Sequence, residues 1–191
     1  MEPIGTKQHI IDTATNLFSG HGFSATSIDD ILRGVGITKG AFYHYFRGKD
    51  HLCEVVLDCA VTEYHRLADD LQKQESHLSP LDQWCRMLIE KQTSGEWLYY
   101  RLLMRLSIES GELNAAMRNT LRTFWRWCQA FYETLVQKTI PTDTTSPAVD
   151  PPALARLYMA AHFGAAWLDR CAADSQDLTA VCETLLKLGL S

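Results

Sequence analysis

Four residues near the N-terminus have the types and spacing to grip nucleic acid. Lys39, Gly40, Tyr43 and His44 fall at i, i+1, i+4 and i+5, a pattern that a helix gathers onto one face. A lysine donates to phosphates or guanine, a tyrosine hydroxyl reaches phosphates, a histidine donates to a base edge, and a glycine lets the backbone come close. Phe42 and Phe46, four apart, mark the opposite, buried side. Nothing comparable suggests catalysis: no nucleophile-base set, metal-ligand spacing or phosphate loop occurs, so an enzyme is the least expected reading and no cofactor is expected. Six cysteines, at 53, 59, 85, 128, 171 and 182, form no C-x-x-C pair and fall in segments of helical periodicity. They read as reduced, packed thiols without a zinc signature. Arg118, Arg122 and Arg126 recur every four residues and read as a solvated helix face.

The elements that must position these groups are helices throughout. Ile10, Ile11, Ala14, Leu17 and Phe18 form a stripe after a Thr6 cap, stopped by Gly20-His21-Gly22. Ser27 with Asp30 three residues on reads as a capping box for a short helix carrying Ile28, Ile31, Leu32 and Val35 inward and closed by Gly36. Thr38 caps a third helix. Two short helices joined through Val35-Gly36-Ile37-Thr38 make a helix-turn-helix pattern. A long helix from about Lys49 to Gln74 would reach roughly 39 Å at 1.5 Å per residue. Further helices are expected from Ser79-Pro80, from Trp97 to Ser110, from Asn114 to Thr139, from Asp150 to Ala173 and from Asp177 onward. The predicted fold is all-α, about nine helices, with a three-helix head at 1–50 and a larger helical-bundle body at 51–191.

Composition narrows the partners. The 191 residues carry a net charge of -5, which argues against indiscriminate coating of nucleic acid. Lys7, Arg33, Lys39, Arg47 and Lys49 balance Glu2, Asp12, Asp29, Asp30 and Asp50, so the head is neutral and the body holds the whole negative charge. DNA contact is therefore expected at the head alone. No apolar run approaches the 18 or so residues of a membrane span, and Met-Glu-Pro-Ile-Gly-Thr lacks the features of a signal peptide. No membrane partner and a cytoplasmic location are expected.

The Gly36-Ile37-Thr38-Lys39-Gly40 and Phe42-Tyr43-His44-Tyr45-Phe46 runs, followed by Lys49-Asp50, resemble the DNA-binding segment of TetR-family regulators. The resemblance covers Lys7 to Cys53; beyond it the chain matches only in helix number and length. Leu32 and Val35 stand where smaller alanines are expected. Carried over position by position, the resemblance implies that Lys39, Gly40, Ala41, Tyr43 and His44 face double-stranded DNA and that Ser27 and Lys49 hold phosphates. Lys49 would also sit in the first turn of its helix, where a cation is disfavoured unless it meets an anion.

One head reads only a few base pairs, so a homodimer on a palindromic operator is expected. Ala160, Ala161, Gly164 and Ala165 would let a second helix approach, and the resemblance places dimer contacts on the last two helices. The candidate interface is Leu157, Ala161, Gly164, Ala165, Leu168, Val181 and Leu185. All five tryptophans lie in the body, with several tyrosines and phenylalanines. TetR-like bodies are built around a small-molecule pocket, which implies an effector site; the candidate lining is Tyr64, Trp84, Trp97, Tyr100, Met104, Trp125, Cys128, Phe131 and Trp167. The function expected is that of a repressor released by a small-molecule effector. The alternative is a DNA-binding regulator controlled by a protein partner or by cysteine modification.

Overall fold

A computed structural model describes residues 5–73, 76–94, 98–139, 150–171 and 177–189. Among them are nine α-helices and no strand: α1 (Thr6–His21), α2 (Ile28–Val35), α3 (Lys39–Tyr45), α4 (Lys49–Lys73), α5 (Pro80–Thr93), α6 (Leu98–Ile108), α7 (Ala115–Thr139), α8 (Pro151–Cys171) and α9 (Asp177–Gly189). A short 3-10 turn, Ser110–Glu112, separates α6 from α7. No described helix is long and apolar enough to cross a membrane. The chain divides into two compact units, residues 1–67 with 97–124 and residues 68–96 with 125–191.

In the first unit α1 packs against α2 and, more extensively, against α6. The α1 stripe lands as its spacing requires, with Ile10, Ala14 and Phe18 fully buried. Its start differs by one residue from the sequence expectation: Gly5 takes the cap position and Thr6 is already helical, so no side chain caps this end. In α2 only Ile31 is fully buried, while Ile28, Leu32 and Val35 are half-buried. A two-turn helix presents one position squarely to the core, and Ile31 takes it. Phe42 and Phe46, fully buried with ring centroids 5.8 Å apart, anchor α3 from beneath.

Two glycines carry the turns for different reasons. Gly36 closes α2 in the left-handed region (φ 76, ψ 34), its N–H donating to Leu32 O at 2.8 Å, with open space around an added Cβ. Gly22 ends α1 at φ 96, ψ 169, a region essentially closed to side chains. An added Cβ there would also lie 1.9 Å from Glu109 Oε1. Gly22→Ala is therefore expected to destabilise the chain by at least about 2 kcal/mol in a denaturant melt. Asparagine, which tolerates left-handed turns, should substitute at Gly36 and fail at Gly22.

In the second unit α8 packs on α9, and α5 also meets α9. Its core contains Trp84, Tyr158, Leu81, Cys85 and Cys182. The indole N–H of Trp84 donates to Tyr132 Oη at 3.0 Å, and Tyr158 donates to Leu185 O at 2.7 Å. The polar tips of these large side chains are thus satisfied inside the bundle.

Candidate nucleic-acid interface and its supports

The outward face of α3 is built by its own cap and core. Thr38 Oγ1 accepts from Ala41 N at 3.3 Å and starts the helix. Phe42 and Phe46 fix its rotation. Lys39, Gly40, Tyr43 and His44 consequently lie exposed, Tyr43 at 47%, and Ala41 is half-buried. The Tyr43 ring rests edge-on against Phe42, 5.3 Å between centroids, which steadies a large side chain that otherwise faces outward. A Cβ built on Gly40 meets only Thr38 Oγ1, at 4.0 Å. No described neighbour requires glycine there.

Ser27 sits at the N-cap of α2 and completes the capping box. Its hydroxyl accepts from Asp30 N at 3.1 Å and donates to Asp30 Oδ2 at 2.6 Å, while its amide also donates to that carboxylate at 3.0 Å. These bonds, with Arg33 nearby, hold the Asp30 carboxyl below its ordinary value. Ser27 remains exposed.

Lys49 opens α4, half-buried, and its ammonium points into the turn between α1 and α2. Nζ donates to Phe23 O at 2.8 Å and to Thr26 O at 3.0 Å, and stands 4.2 Å from the centre of the Phe23 ring. The cation that a helix N-terminus disfavours is therefore met by two carbonyl oxygens and an aromatic face within the head.

The same turn is held from the other side by residues that sequence reading passed over. Glu109 Oε2 accepts from the amides of Phe23 at 2.8 Å and Ser24 at 3.2 Å. Arg105 pairs with Glu109 at 2.8 Å and donates to His21 O at 2.8 Å. Asn114 adds a third tie: its amide donates to Glu54 Oε1 at 2.8 Å and Asp50 Oδ2 at 3.3 Å, and its carbonyl oxygen caps α7 through Met117 N. The turn that positions α2 and α3 is clamped by α4 on one side and by the end of α6 on the other. These partners lie about 85 positions apart in sequence, so no local spacing announces them.

The residues expected to line an effector pocket fall in both units, and Trp97 lies outside the described residues. In the first unit Tyr64 and Tyr100 are buried and Met104 half-buried; Tyr64 packs edge-on against Phe124 at 5.2 Å. In the second, Trp84 packs against Phe131 at 4.7 Å, Trp127 stacks on Phe131 at 5.3 Å, and Trp125 meets Phe163 at 4.9 Å. Cys128 is buried and Trp167 is 37% exposed. A small cleft of about 130 Å³ in this unit, lined by Leu71, Pro80, Gln83, Phe131, Leu135 and Lys138 among others, includes one of the expected residues, Phe131. Arg118, Arg122 and Arg126 are all exposed.

The candidate interface residues divide by exposure. On α8, Leu157 is 55% and Leu168 53% exposed, Gly164 is exposed with nothing within 4 Å of an added Cβ, and Ala161 is half-buried. Ala165 and Leu185 are buried within their own chain, and Val181 is half-buried.

Among the described residues five cysteines are free thiols. Burial pushes the Cys53 thiol up to about 12, and it raises Cys59 and Cys128 as well. Cys85 and Cys182 meet His162 deep in the second unit, all three buried, with their ligand atoms within 4.8 Å of one another. Cys182 is lowered, chiefly because Cys85 donates a hydrogen bond to it, with His162 adding a further favourable contact, and Cys85 is raised as the donor. The separations of 77 and 20 residues along the chain hide this group from any spacing rule.

Two short helices joined by a glycine turn, with one partly basic face of the second left exposed, make a helix-turn-helix head on a chain whose described elements are all helical. Residues 10–56 match the family model for bacterial regulatory proteins of the tetR family. The HTH-type transcriptional regulator AcrR of Shigella flexneri is 47% identical over 47 residues, 25% of this chain and 22% of that protein. The HTH-type transcriptional repressor NemR of Escherichia coli K12 is 29% identical over 126 residues, 61% of this chain and 59% of NemR. The chain thus spans less than two thirds of the length of these relatives. In fold, a TetR-family transcriptional regulator from Agrobacterium tumefaciens superposes with a TM-score of 0.85 at 21% identity, covering 97% of this chain and 98% of that one. The reduced form of E. coli NemR superposes at 0.75 with 21% identity and 95% coverage of both. Residues 10–56 thus match the tetR family of bacterial regulatory proteins, and the fold is that of the solved TetR-family structures.

Proposed function

We propose that this chain is a dimeric transcriptional repressor that binds a palindromic operator through α3 of each head and lets go when a small, largely apolar effector occupies its body. Residues 1–50 are the DNA-binding part and 51–191 the part that dimerises and takes the effector. The observation that carries the reading is the two-sidedness of α3: Phe42 and Phe46 are buried, while Lys39, Gly40, Tyr43 and His44 face outward together. A helix so presented enters a major groove, with Lys39 and His44 offered to phosphate and base edges and Tyr43 to the backbone. Ala41 follows the same face at closer range. Ser27, exposed at the start of α2, donates to a phosphate once its hydroxyl proton turns away from Asp30.

Lys49 serves this face by position. Together with Glu109 it holds the turn from which α2 departs, so the presentation of α3 depends on groups that need not touch DNA. The clamp also offers a route of control, since the end of α6 carries Arg105 and Glu109 and any shift there is felt at the turn. An effector acts only by its difference in affinity between the DNA-competent and released states, and its own binding must weaken by the same factor when operator is present. Effectors that quench tryptophan emission yet bind equally well with and without operator would separate the pocket from the switch.

Control by cysteine modification would require an accessible thiol of low pKa. Cys182, whose thiol is lowered, is fully buried, whereas the half-exposed Cys59 is raised. Among the described cysteines the two properties fall on different residues, which favours a non-covalent effector.

The direct test is Gly40→Ala, read against operator recovered by selection from random duplex DNA. The added methyl has room within the chain, and alanine is the better helix former by up to about 1 kcal/mol. The variant should therefore fold at least as stably and bind operator at least tenfold more weakly, because the methyl stands where the backbone must approach the duplex. Tyr43→Ala should likewise lose affinity with helical content unchanged. Full affinity in both variants would remove α3 from the interface.

A further inference from the structure

The second unit contains a group of side chains that DNA binding does not use. Cys85 from α5, His162 from α8 and Cys182 from α9 converge at one buried point. The geometry points to a binding site for a single thiophilic d10 cation, Zn(II) or Cu(I), held by Cys85 Sγ, His162 Nε2 and Cys182 Sγ.

Distance is the first argument. Zinc binds thiolate sulfur at about 2.3 Å and imidazole nitrogen at about 2.0–2.1 Å, so two such ligands stand roughly 3.5–4 Å apart around one ion. Cys85 Sγ and His162 Nε2 are 3.3 Å apart, and all three ligand atoms lie within 4.8 Å of one another. Side-chain movements of up to about an ångström would bring all three to the separations that one shared cation requires. The donor set is the second argument, because two thiolates and an imidazole select soft and borderline ions over magnesium or calcium.

Orientation is the third. A metal-bound histidine characteristically uses its other ring nitrogen in a hydrogen bond that fixes the ring. His162 Nδ1 lies 3.0 Å from Tyr132 Oη, and Tyr132 is itself held by the Trp84 indole N–H at 3.0 Å. With the Nδ1 proton directed at the Tyr132 oxygen, Nε2 turns a lone pair toward the two sulfurs. Three protein ligands complete a trigonal Cu(I) site; Zn(II) would add water as its fourth ligand. Because the ligands come from three helices, an ion here would tie α5, α8 and α9 together.

The experiment uses the whole chain, reduced, stripped with a chelator and kept under anaerobic conditions. Zn(II) and Cu(I) are titrated against competing chromophoric chelators, and Co(II) serves as the spectroscopic stand-in for zinc. One equivalent per chain of at least one of the two d10 ions is expected, with thiolate-to-metal charge-transfer absorption for Cu(I) or for Co(II). Cys85→Ser, Cys182→Ser and His162→Gln should each weaken binding at least tenfold, and Cys59→Ser should leave it unchanged. If a variant loses its helical circular dichroism, the wild-type spectrum decides: absence of a thiolate charge-transfer band with both ions overturns the site. Binding that persists undiminished in folded Cys85→Ser and Cys182→Ser variants overturns it too, as does failure of both ions to reach one equivalent.

Discussion

Lys49→Met is expected to lower the stability of the chain by about 2–3 kcal/mol while leaving the salt dependence of operator binding unchanged. Methionine preserves the apolar stem, so the loss isolates the ammonium. That group donates to two carbonyl oxygens and sits against the Phe23 ring; hydrogen bonds from a charged donor contribute about 1.5–3 kcal/mol, and a partly exposed cation on an aromatic ring adds about 0.5–1 kcal/mol. For a chain of this size the melting temperature should fall by roughly 4–12 °C. Weaker DNA binding at elevated temperature should recover on cooling, because it arises from a loosened turn. The competing expectation, that Lys49 holds a phosphate, has a different signature: the logarithmic salt slope would drop by about 0.9. An affinity titration over several salt concentrations, run well below the melting temperature, separates the two. A lowered slope with unaltered stability would return Lys49 to the DNA contact set.

Lys49 also marks where sequence reading stops. Helix electrostatics pointed to an anion such as phosphate beside a first-turn cation, whereas within the chain Lys49 meets two neutral carbonyl oxygens and an aromatic ring. Which oxygens meet it is a tertiary fact, since Phe23 and Thr26 precede it by 26 and 23 residues. The local chemistry was legible: the Ser27–Asp30 capping box, the Thr38 cap, the left-handed Gly36 and the two faces of α3 all follow from neighbours within four or five positions. The clamp of Arg105 and Glu109 on the α1–α2 turn was not, and neither was the meeting of Cys85, His162 and Cys182. Such groups are joined by packing and carry no periodic signal. Burial along the candidate interface of α8 was equally illegible. Small and apolar residues run around much of α8, so spacing alone could not separate Ala165, buried in its own chain, from Leu157 and Leu168, which stand half exposed.

That separation yields the second large expected effect. Leu168→Glu should leave each chain folded and abolish the dimer that the proposed function requires. Leu168 is 53% exposed in the single chain, alongside Leu157 at 55% and Trp167 at 37%, so a carboxylate there meets water in the monomer and costs little. Across a two-fold interface the same residue recurs on the partner helix, and the substitution would bring desolvated, unpaired charges into an apolar contact, typically costing several kcal/mol. A loss of more than about 4 kcal/mol corresponds to a dissociation constant roughly a thousandfold weaker. Gly164→Leu tests the same face by volume: its Cβ has open space within the chain, so only a closely approaching second helix would object. Sedimentation should report a monomer with native helical content for Leu168→Glu. Operator affinity should fall with it, since a single head covers one half-site and two half-sites a helical turn apart need two heads held at about 34–36 Å. Ala165→Glu provides the contrast, because Ala165 is 2% exposed in its own chain and a carboxylate there should unfold the monomer itself. A dimer that survives both Leu168→Glu and Gly164→Leu would move the interface away from this face of α8 and leave its exposed leucines without a role in assembly.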